Sequence, residues 1–93
     1  MRLLYTFRFK RIGDTWLADA VGQNAHLFNG ILQLNEVGHF IVSELAELPD
    51  MPEQNILSRL TDSLTKEYAV DSATAQSAVQ QVLDYLKSEQ VLA

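Results

Sequence analysis

The 93-residue chain contains no cysteine, which excludes a disulfide framework, a thiolate metal site and a cysteine nucleophile. It has two histidines, His26 and His39, and their separation makes no His-x-x-x-His ligand pair. A zinc site takes three or four nitrogen, sulfur or oxygen ligands, so both read as surface or half-buried side chains. The four glycines form neither a phosphate-cradling loop nor a Gly-x-Ser-x-Gly elbow. No apolar run approaches the ~20 residues that cross a bilayer. The opening Met1-Arg2-Leu3-Leu4-Tyr5-Thr6-Phe7 is too short for a signal-peptide core, and Arg8, Lys10 and Arg11 interrupt it. The expectation is a soluble, cytoplasmic protein that carries no metal or cofactor.

Acidic side chains are plentiful, but they do not describe a catalytic pair. Asp50, Glu53 and Asp71 read as helix caps, and Glu44 and Glu47 as an outer helix face. No two carboxylates have surroundings that mark them as perturbed, which acid–base chemistry requires. The chain is therefore expected not to be an enzyme.

Positive charge is scarce and unevenly placed. Residues 1–11 carry Arg2, Arg8, Lys10 and Arg11 and no acid, whereas residues 12–93 carry three bases against twelve acids, for a net charge of −5. An acidic body repels phosphate backbones.

What is present is an ordinary globular balance, 47% hydrophobic and 20% charged, in a length that suits a single domain spanning residues 1–93. Residues 5–12 alternate apolar and basic, the pattern of a half-buried strand with Phe7 and Phe9 inward. Gly13-Asp14 is a turn signal, and residues 15–21 suit the second arm of a hairpin. Gly22-Gln23-Asn24 ends that arm, residues 25–29 read as irregular, and Gly30 opens a short third strand, Ile31-Leu32-Gln33-Leu34.

Three helices follow. Asn35 is placed to cap the first, whose stripe is Val37, Phe40, Ile41, Leu45 and Leu48, with Pro49 ending it. Asp50 is expected to cap the second, with Glu53 completing a capping box and Pro52 in the first turn. Its stripe is Ile56, Leu57, Leu60, Leu64 and Tyr68. Asp71 or Ser72 caps the third, with Ala75, Ala78, Val79, Val82, Leu83 and Leu86 along one face. Val91-Leu92 is expected to fold back onto the core. The predicted fold is α+β, a winged helix-turn-helix in which three short antiparallel N-terminal strands precede three helices.

Such a layout raises DNA binding as an alternative function. Recognition helices offer Arg, Lys, Asn or Gln to bases and phosphates. The third helix has Gln76, Gln80 and Gln81, but a single base, Lys87, against Asp84 and Glu89. The phosphate contribution that dominates affinity is missing. A small sheet beside helices offers a different possibility, a peptide added as a strand to an exposed edge.

Phe28-Asn29-Gly30-Ile31, then Leu34-Asn35-Glu36-Val37-Gly38-His39-Phe40-Ile41, resembles the middle of PqqD-like proteins. Leu64-Thr65-Lys66-Glu67-Tyr68-Ala69-Val70-Asp71 resembles the joint before that family's closing helix, and Ala78 to Leu92 resembles the closing helix itself. The opening hairpin, Phe9 through Val21, fits as well. Each piece alone has low specificity; their order and spacing carry the resemblance over nearly the whole chain.

The resemblance implies a recognition element for ribosomally made peptides that are later modified. A leader segment of the precursor would add to the third strand and lie against the third helix. The domain would present it to a modifying enzyme, often a radical S-adenosylmethionine enzyme. Carried over, the strand side of the groove is Gly30, Ile31, Leu32, Gln33 and Leu34, and the helix side is Gln76, Val79, Gln80, Leu83 and Lys87. A proline at Leu32 would then remove a main-chain donor from the edge. Gln33-Leu34 stands where the founding member, which serves pyrroloquinoline quinone biosynthesis, is richer in Pro and Arg. That points to another peptide pathway. An exposed edge strand also allows a homodimer.

Overall fold

A computed structural model describes residues 1–93. The chain runs β1 (Thr6–Ile12), β2 (Thr15–Val21), a 3-10 turn (Ala25–Leu27), β3 (Leu32–Leu34), α1 (Glu36–Ala46), α2 (Glu53–Tyr68) and α3 (Ser72–Ser88). This is the α+β order of three antiparallel strands followed by three helices. The sheet order is β1-β2-β3, so β1 and β3 are its two edges. The expected third strand is shorter than Gly30–Leu34, and part of the irregular stretch is the 3-10 turn.

The hairpin follows from its turn. Gly13 takes φ 61°, a left-handed conformation that suits the first position of a two-residue turn. Ile12 then pairs with Thr15, and the register continues through Phe9↔Ala18 to Thr6↔Val21. Because strand side chains alternate faces, Phe7, Phe9, Ala18, Leu32 and Leu34 share one face, while Arg8, Lys10, Asp19 and Gln33 share the other. On the outer face Arg8 meets Asp19 directly across the pair at 2.8 Å. Both side chains are largely solvated, so this ion pair stabilises little.

The inner face packs on the helices around one cluster of fully or nearly buried side chains. It joins Ala18, Leu32 and Leu34 of the sheet to Ile41 and Leu45 of α1, Ile56 and Leu60 of α2, and Val79 and Leu83 of α3. Fully burying each leucine or isoleucine contributes about 1.5–3 kcal/mol. Val91 is also completely buried, as the C-terminal tail folds back. There Leu92 bridges Leu3, and Arg2 and Ala93 exchange backbone hydrogen bonds of 3.1 and 2.9 Å.

Two of the expected caps form. The Asn35 side chain accepts from the Gly38 amide at 2.7 Å, and Asp71 accepts from the Thr74 amide at 2.7 Å. That bond holds the Asp71 carboxyl below its ordinary pKa. Asp50, however, does not cap α2. The helix starts at Glu53 with Pro52 as N-cap and no side-chain cap. Proline forces the residue before it out of helical backbone, which leaves Asp50 a further step outside. Its carboxylate instead accepts from the chain's terminal ammonium at 2.7 Å, which lowers its pKa. Glu53, expected to complete that box, reaches across to Lys87 of α3 at 2.8 Å.

His39 sits in an aromatic stack rather than free at the surface. Its ring is stacked on Trp16, with centroids 3.8 Å apart, and Phe9 meets it edge-on at 4.7 Å. Burial lowers its pKa below 6.5, against a smaller opposing effect of Glu36. As pH falls, the unfolded chain takes up this proton before the folded one does, so unfolding is favoured. Stability should therefore decrease as pH drops from above 7 through 6.5, then level off once the lowered folded-state value is passed. Denaturant unfolding at stepped pH, followed by fluorescence of the single Trp16, measures this. His39→Phe should remove the step, and a step that persists in that variant assigns it to another group.

Candidate functional site

The candidate site expected from the sequence centres on β3, a strand of three residues. Leu32 pairs with Ala18, Gln33 with Leu17 and Leu34 with Trp16. Leu32 and Leu34 are 0% and 5% exposed, so the strand is pinned to the core from below. The Gln33 amide does not bond to β2. It donates to the Tyr85 hydroxyl of α3 at 3.0 Å. In an antiparallel pair, hydrogen-bonded and non-hydrogen-bonded positions alternate. Gln33 is thus the non-bonded position, with its main-chain groups facing the open edge, and Leu32 and Leu34 are the bonded ones. The outward donor therefore belongs to Gln33 and not to Leu32: a proline at Leu32 would disrupt pairing inside the sheet.

Beside this edge runs a shallow groove of about 200 Å³ between β3 and α3. Its strand wall is Gln33, Leu34 and Asn35, its end is Val37 and Gly38, and its helix wall is Ala78, Gln81, Val82 and Tyr85. No charged side chain lines it. Gly38 keeps that end tight, since a Cβ there would stand 3.2 Å from the Asn35 side-chain oxygen and 3.4 Å from Leu34 Cβ.

The helix wall differs from the residues that the resemblance indicated. Val79 and Leu83 are completely buried in the core. Gln76 and Gln80 border a neighbouring surface hollow with Ala73, Ser77 and Gln81, which no β3 residue lines. Lys87 is held by Glu53 of α2. The physical reason lies in the width of the apolar face. Ala75, Val79, Leu83 and Leu86 fill the core. Ala78, Val82 and Tyr85, one step round the helix, remain half-buried at its border and turn to β3. The usable signal was a surplus: more apolar positions than the core stripe needs. On the strand side, Gly30 and Ile31 are exposed and precede β3, and Ile31 is 57% exposed.

The other edge is a poorer acceptor. β1 carries Arg8, Lys10 and Arg11, and cations on an edge discourage pairing. A larger concavity, about 510 Å³, lies between β1 and α1. Its walls are mostly apolar side chains of the chain's start, β1 and α1. Nowhere are three or more His, Cys, Asp or Glu side chains grouped to hold a metal ion. No helix is long and apolar enough to cross a membrane.

An open sheet edge beside an uncharged groove defines a small α+β domain able to accept an extended segment. The chain belongs to the family of coenzyme PQQ synthesis protein D (PqqD), whose pattern matches residues 17–92. No curated protein sequence matches it. Among solved structures, that of TbiB1 in complex with the TbiA(beta) leader peptide shares its fold. The TM-score is 0.63 at 23% identity, over 99% of this chain and 94% of that one.

The Asn35 cap ties the start of α1 to the groove's end. Asn35→Ala should cost about 1 kcal/mol of stability, the usual value for losing a side-chain N-cap. Chemical denaturation measures it, and a loss below a few tenths would mean that water replaces the cap.

Proposed function

We propose that this chain is a non-catalytic recognition element that binds the leader segment of a ribosomally made precursor peptide. The leader adds as a strand to β3, lies in the groove against α3, and is presented to a modifying enzyme. The observation that carries this reading is the outward amide of Gln33 beside a groove without charge. Main-chain bonds to an edge supply affinity whatever the peptide's sequence, while adjoining pockets read alternate side chains. Membership of the PqqD family and the fold shared with a leader-peptide-bound protein support the same reading.

In this proposal the strand side is Gly30, Ile31, Leu32, Gln33 and Leu34. Leu32 and Leu34 act by fixing the strand, and Gln33 by offering its main chain. The helix side is Ala78, Gln81, Val82 and Tyr85. The partner enzyme is of the radical S-adenosylmethionine kind, and the work is done in the cytoplasm, where such precursors are made. An unoccupied β3 edge is also where a second copy would pair.

Leader segments of short peptides encoded beside this gene, titrated into labelled protein, should shift the amides of residues 31–35 together with those of Ala78, Gln81, Val82 and Tyr85. Shifts confined to residues 1–11 would reject the site. Gln33→Pro should weaken binding by about three- to tenfold, the worth of one net hydrogen bond, while the melting temperature stays near that of the parent. An unchanged affinity in the folded variant would count against strand addition at β3. Because the groove is uncharged, affinity should vary less than about threefold between 50 and 200 mM salt, where a protein with many phosphate contacts loses orders of magnitude. A steep salt dependence would favour nucleic acid instead.

A further inference from the structure

The hydrogen bond that identifies the acceptor edge also occupies it. The Gln33 amide is the outward donor of the three-residue β3, and the Tyr85 hydroxyl, 52 residues away in sequence, already accepts from it at 3.0 Å. A hydroxyl oxygen standing where a strand carbonyl would stand imitates the first bond of strand addition. We propose that Tyr85 is an intramolecular latch on the β3 edge, which an incoming peptide strand must displace in order to pair with Gln33. This rests on the strand-acceptor reading above and adds to it a residue that sets how readily the edge opens.

Three features fit a latch better than a packing role. First, Tyr85 is only half-buried, whereas α3 is anchored by Val79, Leu83 and Leu86, all fully buried. Its hydroxyl is therefore not needed to hold the helix. Second, Tyr85 lies on the groove wall with Ala78, Gln81 and Val82, so that its side chain stands in the space a peptide would enter. Third, a rotation about side-chain bonds is enough to release the amide, with no backbone movement. The latch also has a use when no peptide is present. An edge whose outward donor is satisfied is a poorer template for a second copy or for an unrelated strand. The β1 edge gets comparable protection from its cations. The uncharged β3 edge has this contact instead.

Displacement exchanges the Tyr85 bond for a peptide bond to the same amide. Without the hydroxyl, water holds that amide in the free protein and is lost more cheaply. Tyr85→Phe should therefore bind strands more tightly, by about two- to tenfold, the range that one net hydrogen bond supplies. The probe is a set of 12-residue peptides selected by display on the folded wild-type domain. Their dissociation constants are measured for wild type, Tyr85→Phe and Tyr85→Leu, the last keeping an apolar wall without a hydroxyl. Hydrogen exchange of the Gln33 amide is followed in the peptide-free proteins. The latch predicts faster exchange at Gln33 and tighter binding in Tyr85→Phe, with Tyr85→Leu moving in the same direction. Equal or weaker binding by Tyr85→Phe overturns it, because the hydroxyl then helps the complex. Unchanged exchange at Gln33 also overturns it, because the contact is then not held in solution. If the wild-type domain selects no peptide at all, the strand-acceptor reading itself fails and takes the latch with it.

Discussion

Leu32 and Leu34 point into the same buried cluster as Ile41, Val79 and Leu83, and the rest of the site depends on that. With side chains two residues apart held below the sheet, the residue between them has no freedom left. Gln33 must project its side chain to the outer face, and its main-chain groups must face away from β2. A slip of one residue would put both leucines in solvent and Gln33 in the core. The hydrophobic effect therefore sets not only the stability of β3 but also which amide it exposes. The direction in which the Gln33 amide points is thus set by two apolar side chains anchored in the core.

The same division of labour runs along α3. One row, Ala75, Val79, Leu83 and Leu86, is consumed by the core. The neighbouring row, Ala78, Val82 and Tyr85, borders the groove and is half-buried. A helix that fills a core with one row and walls a groove with the next holds both at fixed spacing. Apart from the Tyr85 side chain, the groove walls are in place once the domain has folded. The ordering cost is met largely when the domain folds, which favours binding by a shallow site that would otherwise be weak.

Charge keeps this arrangement selective. The body is acidic, the bases of the first eleven residues lie on or before β1, and the β3 groove has none of either sign. Those cations are also partly engaged, with Arg8 on Asp19, Arg2 near Asp50, and Arg11 bonded to the Gly13 carbonyl and lying 6.0 Å from the Trp16 ring. The β3 edge, by contrast, offers main-chain groups beside a groove without charge.

Much of the fold was legible in the order of residues. Alternation over residues 5–12, the Gly13 turn and the Asn35 and Asp71 caps are local signals, and each appears where its chemistry placed it. The second helix start was misplaced, because Pro52 keeps the residue before it out of helical backbone and so leaves Asp50 too far outside to cap. The place of the third strand was legible too, since Leu32-Gln33-Leu34 alternates and stands before a capped helix. The sequence by itself thus determined the kinds of element and their order. Only the tertiary structure decided which row of α3 faces β3, because six apolar residues on one helix face leave open which of them the core will take. It alone brought Tyr85 to Gln33. A hydrogen bond between residues 52 apart depends on how two elements pack, and no local pattern records it.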